Sequence, residues 1–223
     1  MPRAPRSYHH GDLRRALLTA ALHIVRIEGT AGLTLRAVAR RAGVSHQAPY
    51  HHFSDRAALV AAVAQEGFDR LADELARAQA AAENPVARMQ ESGVAYVVFA
   101  VRHPEHFRVM FGPELADRSS HPELARAAGQ VFEALLAPAA LVLAAQPSGG
   151  GGVGATLWSA VHGLAMLLID GQLPVRGGAG RPGAAADAAA ARRLALEVTE
   201  RLWLGLQPLV APSGRGASSP GTS

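Results

Sequence analysis

The stretch LTLRAVARRAGVSHQAPYHHFSDRAALVAAV, residues 33–63, decides the fold of this chain. Its pattern predicts two short helices separated at Gly43, because glycine readily adopts the left-handed conformation in which many helices end. Thr34 is expected to cap the first of these helices, Ser45 the second, and Ser54 the longer helix that follows. Two short helices joined by a tight turn form a unit that can present its second helix to the major groove of DNA.

The second helix of this unit is predicted to have about two turns, which is too short to be stable alone. Neighbouring residues must therefore hold one side of it, and Val44, Ala48 and Phe53 are the candidates. Pro49 is expected to lose one backbone hydrogen bond, to the carbonyl of Ser45. The free side is predicted to be polar and to consist of His46, Gln47, Tyr50, His51 and His52.

The basic residues are concentrated at the start of the chain. Residues 1–56 hold nine arginines and three acidic residues, a net of +6, whereas all 223 residues together carry +4. A basic head on a near-neutral body indicates that the head meets a polyanion. The alternative is a soluble surface on which the charges are placed arbitrarily.

Cysteine is absent, which removes disulfides, thiolate catalysis and cysteine-type zinc sites and suits a reducing cytosol. The histidines do not have the spacing of a helical zinc site either. His46 and His51 are five positions apart, and no acidic residue lies between Glu28 and Asp55. We therefore predict neither a metal nor a cofactor, and no signal sequence is expected at the N-terminus.

Helical periodicity continues on both sides of this unit. In the first helix Leu13, Leu17, Ala20, Ile24 and Ile27 recur in steps of three and four and are predicted to face the core. Further helices are predicted over residues 54–82, 84–103, 122–145, 153–172 and 184–206, with a short segment over 105–111 and loops over 147–152 and 173–183.

The stretch 33–63 resembles the DNA-binding head of the tetracycline-repressor (TetR/AcrR) family. The matching features are the capping Thr34, the A-G-V-S of residues 42–45, and Tyr50 with Phe53 in a Tyr-x-x-Phe pattern. The spacing of these features is kept without a gap. Two positions depart from the family pattern, since Arg56 stands where lysine is usual and Pro49 where leucine or isoleucine is usual.

A second resemblance lies in the body. The run from Trp158 to His162-Gly163 is similar to the W…HG signature of a C-terminal domain that occurs in part of this family. The resemblance implies an all-α protein with an N-terminal helix-turn-helix DNA-binding head and a larger helical body for ligand binding and dimerisation. The corresponding division is a flexible basic arm over 1–10, the head over 11–58, the body over 59–209 and a disordered tail over 210–223.

This family resemblance also implies partners and a location. It implies a cytoplasmic homodimer, formed through the last two long helices, which binds a palindromic operator and is released by a small-molecule effector. Arg3 and Arg6 in the arm are candidates for the minor groove, with plain disorder as the alternative. The predicted DNA-binding residues are Thr34, Arg36, Ser45, His46, Gln47, Tyr50, His51, His52 and Arg56.

The resemblance also implies an effector site within the body, and the bulky side chains there are the candidates to line it. Methionine and phenylalanine at helical spacing also form ordinary core, so each of these residues has that alternative. His162 has three candidate roles: a polar contact for the ligand, a hydrogen bond at the dimer interface, or a satisfied core histidine. The predicted lining residues are Met89, Phe99, Phe107, Met110, Phe111, Phe132, Trp158, His162 and Met166.

Three other interpretations have less support from the residues. A helical enzyme with histidine chemistry would need a nucleophile motif, a phosphate loop or metal spacing, none of which is present. A nonspecific DNA-binding protein would not need a large apolar body. A membrane span over 153–169 is disfavoured relative to a buried helix, because the stretch is short for a bilayer and contains His162.

Overall fold

The computed structural model describes residues 10–115, 117–143, 150–173 and 187–210, and no strand occurs among them. The predicted all-α class is therefore confirmed. The predicted arm, the tail and the loop over 173–183 lie almost entirely outside the described residues, whereas residues 150–152 of the other predicted loop are described and helical. The helices are α1 (His10–Glu28), α2 (Leu35–Ala42), α3 (Arg56–Ala80), α4 (Pro85–Arg102), α5 (Pro104–Met110), α6 (Pro122–Leu143), α7 (Gly150–Ile169) and α8 (Ala188–Val210).

The head is built from α1, α2 and the first turns of α3. Leu17, Val38 and Leu59, one from each of these helices, are fully buried in a shared core. The buried face of α1 differs slightly from the face that the apolar stripe of its sequence predicted. Ile27 was expected to face the core, but it is 66% exposed, and Val25 is buried instead. The prediction failed there because the head core ends one turn before the helix does.

Thr34 caps α2 as predicted. Its hydroxyl accepts a hydrogen bond of 3.1 Å from the backbone N–H of Ala37. Gly43 ends the helix in the left-handed conformation, with φ of 70°. Thr34 and Gly43 together fix where the chain enters and leaves α2, and hence where the following segment starts.

Removing the Thr34 cap is expected to destabilise the head. Thr34→Ala should lower the free energy of unfolding by about 1 kcal/mol, because the N–H of Ala37 loses its acceptor. Thr34→Ser keeps the hydroxyl and should stay within a few tenths of a kcal/mol of the parent. Urea denaturation followed by circular dichroism measures both, and equal losses in the two variants would exclude the capping explanation.

The predicted cap of the long helix was wrong. Asp55, rather than Ser54, caps α3, since its carboxylate accepts a hydrogen bond of 2.8 Å from the N–H of Ala58. That backbone N–H also lowers the pKa of Asp55. The hydroxyl of Ser54 donates to the carboxylate at 3.2 Å. Both residue types cap helices well, and the start of the helical turn at Arg56 decides between them.

The body packs around α4. This helix contacts α3, α6, α7 and α8, and its side chains Tyr96 and Phe99 are both 1% exposed. Helix α3 has 25 residues and belongs to both parts of the chain. Its buried side chains run from Leu59 in the head to Leu75 in the body. The predicted domain boundary after residue 58 therefore falls inside α3.

The last two helices are displaced relative to the prediction. Helix α7 begins at Gly150 rather than Val153, and α8 ends at Val210 rather than Leu206. Glycine costs about 1 kcal/mol in a helix relative to alanine, which is why the glycine run was predicted to be a loop. Here Thr156 donates to the carbonyl of Gly152 at 2.9 Å within the first turns of α7.

Helices α6 and α7 are unusually apolar. Residues 122–142 and 152–169 are each long and apolar enough to cross a membrane by length and composition alone. Only 33% of either stretch is buried within this chain. Helix α7 was interpreted as a buried helix, and it does bury Val161, Leu164 and Leu168, but much of its remaining surface stays open to a partner.

Candidate DNA-binding surface and ligand cavity

The segment after Gly43, residues 44–53, is not the predicted two-turn α-helix capped by Ser45. A turn closed by the N–H of Ala48 on the carbonyl of Ser45, at 3.1 Å, leads into a single 3-10 turn over Ala48–His51. No side-chain hydrogen bond caps this turn. We call residues 44–53 the reading segment, because its outer side carries most of the residues predicted to contact DNA.

Pro49 explains this local geometry. Proline has no N–H and fits the first turn of a helix, which is where Pro49 lies. The predicted loss of a bond to the Ser45 carbonyl was wrong, because that carbonyl accepts from Ala48 instead. The carbonyl of Pro49 accepts from the N–H groups of His52 and Phe53, both at 2.9 Å. Pro49 is itself buried, and Phe53 is 3% exposed.

The outer side of the reading segment is polar and open to solvent. His46, Gln47, Tyr50 and His51 are exposed, as predicted, whereas His52 is half-buried against the ring of Phe53. Thr34, Arg36 and Ser45 are also exposed. Seven of the nine predicted DNA-binding residues are thus exposed, whereas His52 and Arg56 are half-buried; the contacts of all nine with DNA stay predictions.

Arg56 lies at the joint between head and body. Its Nε donates to the carbonyl of Leu33 at 2.8 Å, and one terminal nitrogen donates to the carbonyl of Thr30 at 2.9 Å. The same nitrogen is 3.5 Å from a carboxylate oxygen of Glu114 in the body. The side chain is 40% exposed, so the predicted phosphate contact stays a prediction. The partners of Arg56 lie far from it in the sequence, and contacts between such distant positions leave no periodic signal.

A cavity of about 460 Å³ lies in the body between α3, α4, α6 and α7. Its volume is within the range of pockets that bind one organic molecule. Most of its lining is apolar, and five aromatic side chains and one arginine stand out: Phe68, Tyr96, Phe111, Phe132, Trp158 and Arg118.

The polar groups of the aromatic lining are already paired. The indole N–H of Trp158 donates to the hydroxyl of Tyr96 at 3.4 Å, and that hydroxyl is 2.9 Å from Nδ1 of His162. Burial raises the pKa of Tyr96 and lowers the pKa of His162, so the phenol keeps its proton and the imidazole is neutral. His162 is therefore hydrogen-bonded within the body, and the three roles predicted for it stay predictions.

The nine predicted ligand residues separate into two groups. Phe111, Phe132 and Trp158 line the cavity, and Met89 lines a much smaller void beside Trp158. The other group is Phe99, Phe107 and Met110 in the core, His162 against Tyr96, and Met166 packed on the core.

Eight lining residues were missed by the sequence reasoning, and those with the largest side chains are Phe68, Tyr96 and Arg118. Phe68 and Tyr96 lie within helical stripes that look like core. Arg118 lies between helices, where no periodicity applies. Within the described residues no group of three histidine, aspartate or glutamate side chains is placed to hold a metal ion.

A capped α2, a tight glycine turn and an exposed reading segment define a helix-turn-helix head, here carried by a helical body with a cavity. Comparison with known families agrees with this class. Residues 17–63 match the family described as "Bacterial regulatory proteins, tetR family". Residues 89–193 match the family described as "Tetracyclin repressor-like, C-terminal domain". The chain belongs to the TetR family.

Individual relatives are similar over different extents. The chain is 34% identical over 76 residues to the HTH-type transcriptional regulator BetI of Rhizobium meliloti (strain 1021), and the match covers 37% of that protein. A solved structure of a protein with unknown function from Rhodococcus sp. RHA1 is 32% identical with a TM-score of 0.70. That alignment covers 90% of this chain and 98% of the other.

A further solved structure is similar in fold. The TetR family transcriptional regulator PfmR from Thermus thermophilus has a TM-score of 0.64 at 15% identity, over 85% of this chain and 98% of its own.

Proposed function

We propose that this chain is a transcriptional repressor that binds a palindromic DNA operator as a homodimer and is released by a small-molecule effector. The observation that carries the proposal is the reading segment. Its inner side is clamped by buried Pro49 and Phe53, while Gln47 and Tyr50 on its outer side stay exposed. A turn this short is not stable alone, so the clamp holds its polar surface in one orientation, as an element that contacts the major groove requires.

The contacts with DNA divide into two kinds. Gln47, His46 and His51 are proposed to meet base edges in the major groove, where glutamine can form two hydrogen bonds with adenine. Tyr50 is proposed to give its hydroxyl to a phosphate or its ring to a thymine methyl group. Thr34, Arg36, Ser45, His52 and Arg56 are proposed to position the head on the phosphate backbone.

Base reading by Gln47 has a measurable consequence. Gln47→Ala should weaken binding to an operator selected from a random duplex pool by about 10- to 100-fold, with little change on random DNA. Gln130 is exposed on α6, so Gln130→Ala is a matched control that should leave both affinities unchanged. Fluorescence anisotropy at fixed salt measures the two affinities.

The result that overturns the proposal is a wild-type protein with equal affinity for operator and random DNA, since a repressor requires a specificity ratio well above unity. A Gln47→Ala variant with unchanged specificity would instead remove Gln47 from the base contacts and leave the regulator proposal in place. Size-exclusion chromatography confirms that each variant keeps its oligomeric state.

The effector is proposed to act through α3. This helix begins beside the reading segment with the Asp55 cap and Arg56, and twelve residues later its Phe68 lines the cavity. At a rise of about 1.5 Å per residue these points are about 18 Å apart on one rigid element. A ligand that displaces Phe68 therefore tilts the helix that carries the head. We infer a cytoplasmic regulator without catalytic activity, as expected for this family.

A further inference from the structure

We propose that the body cavity binds an organic carboxylate with an aromatic or apolar body, and that Arg118 pairs with the carboxylate. The inference rests on the proposed function, because it names the chemical class of the effector. The starting observation is a cationic side chain, Arg118, in a cavity whose lining is otherwise mostly apolar.

Among the described residues that line the cavity, Arg118 is the only charged one. One terminal nitrogen donates to the carbonyl of Met110 at 3.2 Å, and the guanidinium carbon lies 5.2 Å from the centre of the Phe68 ring. Its Nε is buried and has no hydrogen-bond partner. Arg118 is thus held in place by a carbonyl and an aromatic face, with one donor left unused.

No counter-ion accompanies this cation. Within the described residues no carboxylate lies within 4.0 Å of the guanidinium of Arg118, and all 18 acidic residues of the chain belong to the described part. The nearest acids in sequence are used elsewhere. Asp117 accepts from the N–H of Ser119 at 2.8 Å, and Glu114 pairs with Arg56. The positive charge is therefore not neutralised by the protein.

Such a charge is costly in this environment. The side chain of Arg118 is partly buried, and this burial lowers its pKa. An anion would restore the lost solvation, and a planar carboxylate matches the fork of guanidinium N–H groups. The terminal N–H groups that are not bound to the carbonyl of Met110 can donate to the two oxygens of one carboxylate.

The rest of the cavity selects the body of the ligand. Tyr96 and Trp158 line the wall, but the indole N–H is directed to the phenol and the phenol to His162. Phe68, Phe111 and Phe132 add aromatic surface. Because the polar groups of the wall satisfy one another, a flat apolar body with a single anionic group fits better than a ligand with many hydroxyls.

The fit is tested with full-length protein and a matched pair of small probes, 2-naphthoate and its neutral amide, 2-naphthamide. Isothermal titration calorimetry should show 2-naphthoate binding at least about ten-fold more tightly than 2-naphthamide. Arg118→Met should remove this preference and leave the affinity for 2-naphthamide unchanged. Arg126→Met is the matched control, since Arg126 is exposed on α6 and pairs with Glu123.

A second variant tests, independently of Arg118, whether the probes bind in this cavity. Gly129 lines the cavity, and a Cβ added there meets no atom within 4 Å, so Gly129→Leu should fill space without straining the helix. Both probes should then bind at least about ten-fold more weakly. Circular dichroism checks that each variant is folded, and if Arg118→Met is not, Arg118→Lys should keep the preference for 2-naphthoate.

Three outcomes overturn the inference: no binding of 2-naphthoate, equal affinity for the two probes, or unchanged binding in Gly129→Leu. Operator binding is measured on the same wild-type sample. Specific DNA binding without a preference for 2-naphthoate contradicts the carboxylate inference alone, whereas a preference for 2-naphthoate without specific DNA binding contradicts the proposed function alone.

Discussion

Replacing Leu204 with arginine is expected to convert the proposed dimer into a monomer and to weaken operator binding by about two orders of magnitude or more. Leu204 lies on α8 and is 60% exposed in the single chain, and Leu167 on α7 is 39% exposed. A two-fold interface between these helices would bury both leucines twice. An arginine at residue 204 would place two unpaired charges in that interface, each costing several kcal/mol.

Sedimentation velocity measures the oligomeric state, and anisotropy on the selected operator measures the affinity. Leu141→Arg is the matched control, because Leu141 is 65% exposed on α6, outside the two helices proposed to form the interface. This control should stay dimeric. If Leu141→Arg dissociates while Leu204→Arg remains a dimer, the interface lies on α6 and the proposal that α7 and α8 form it is wrong.

The loss of DNA binding follows from the geometry of two linked heads. A palindromic operator has two half-sites, and a dimer that holds one head gains the second contact as an intramolecular event. A monomer keeps the reading segment intact but loses this gain. The Leu204→Arg variant should therefore retain weak binding to a single half-site, which separates dimer loss from unfolding of the head.

Capping residues and turns made the head predictable. Thr34 and Gly43 determine the ends of α2 through one hydrogen bond and one backbone conformation, and both depend only on adjacent residues. Asn84 opens α4 in the same way, by accepting a hydrogen bond of 2.9 Å from the N–H of Ala87. Local chemistry of this kind is readable from a sequence, because its partners are three or four positions away.

The reading segment shows where local inference stops. Its periodicity and Ser45 suggested an α-helix, but Pro49 and the packing of Phe53 select a single 3-10 turn. Pro49 is buried and Phe53 belongs to the core shared with α1, α2 and α3, so the conformation of the segment depends on tertiary packing. The role of Arg56 at the carbonyls of Thr30 and Leu33 was missed for the same reason.

The cavity shows a second feature that the sequence pattern did not predict. Aromatic residues were correctly expected in the body, but whether a ring lines a void or fills the core depends on which helices separate there. Phe111 and Phe107 are four positions apart, yet one lines the cavity and the other is fully buried. A pattern of apolar residues identifies the inner side of a helix, whereas a cavity arises where two inner sides fail to meet.

The difference between core and cavity wall should appear as a difference in stability between two phenylalanine variants. Phe107→Ala is expected to lower the free energy of unfolding by about 3–5 kcal/mol, a large part of the total for an ordinary domain. Phe107 is completely buried, and the centre of its ring lies 4.8 Å from the ring centre of Phe111 and 5.5 Å from that of Tyr96. Its removal leaves a closed cavity that the surrounding rings cannot fill.

Phe132→Ala is the comparison, because Phe132 is 44% exposed at the cavity. The centre of its ring lies 5.5 Å from the ring centre of Trp158. It should cost less than about 1.5 kcal/mol, since much of the side chain already faces solvent. Urea denaturation of both variants, followed by far-UV circular dichroism, gives the two values. Equal losses would mean that the wall closes over Phe132 in solution, and the cavity would then not be open to a ligand in the free protein.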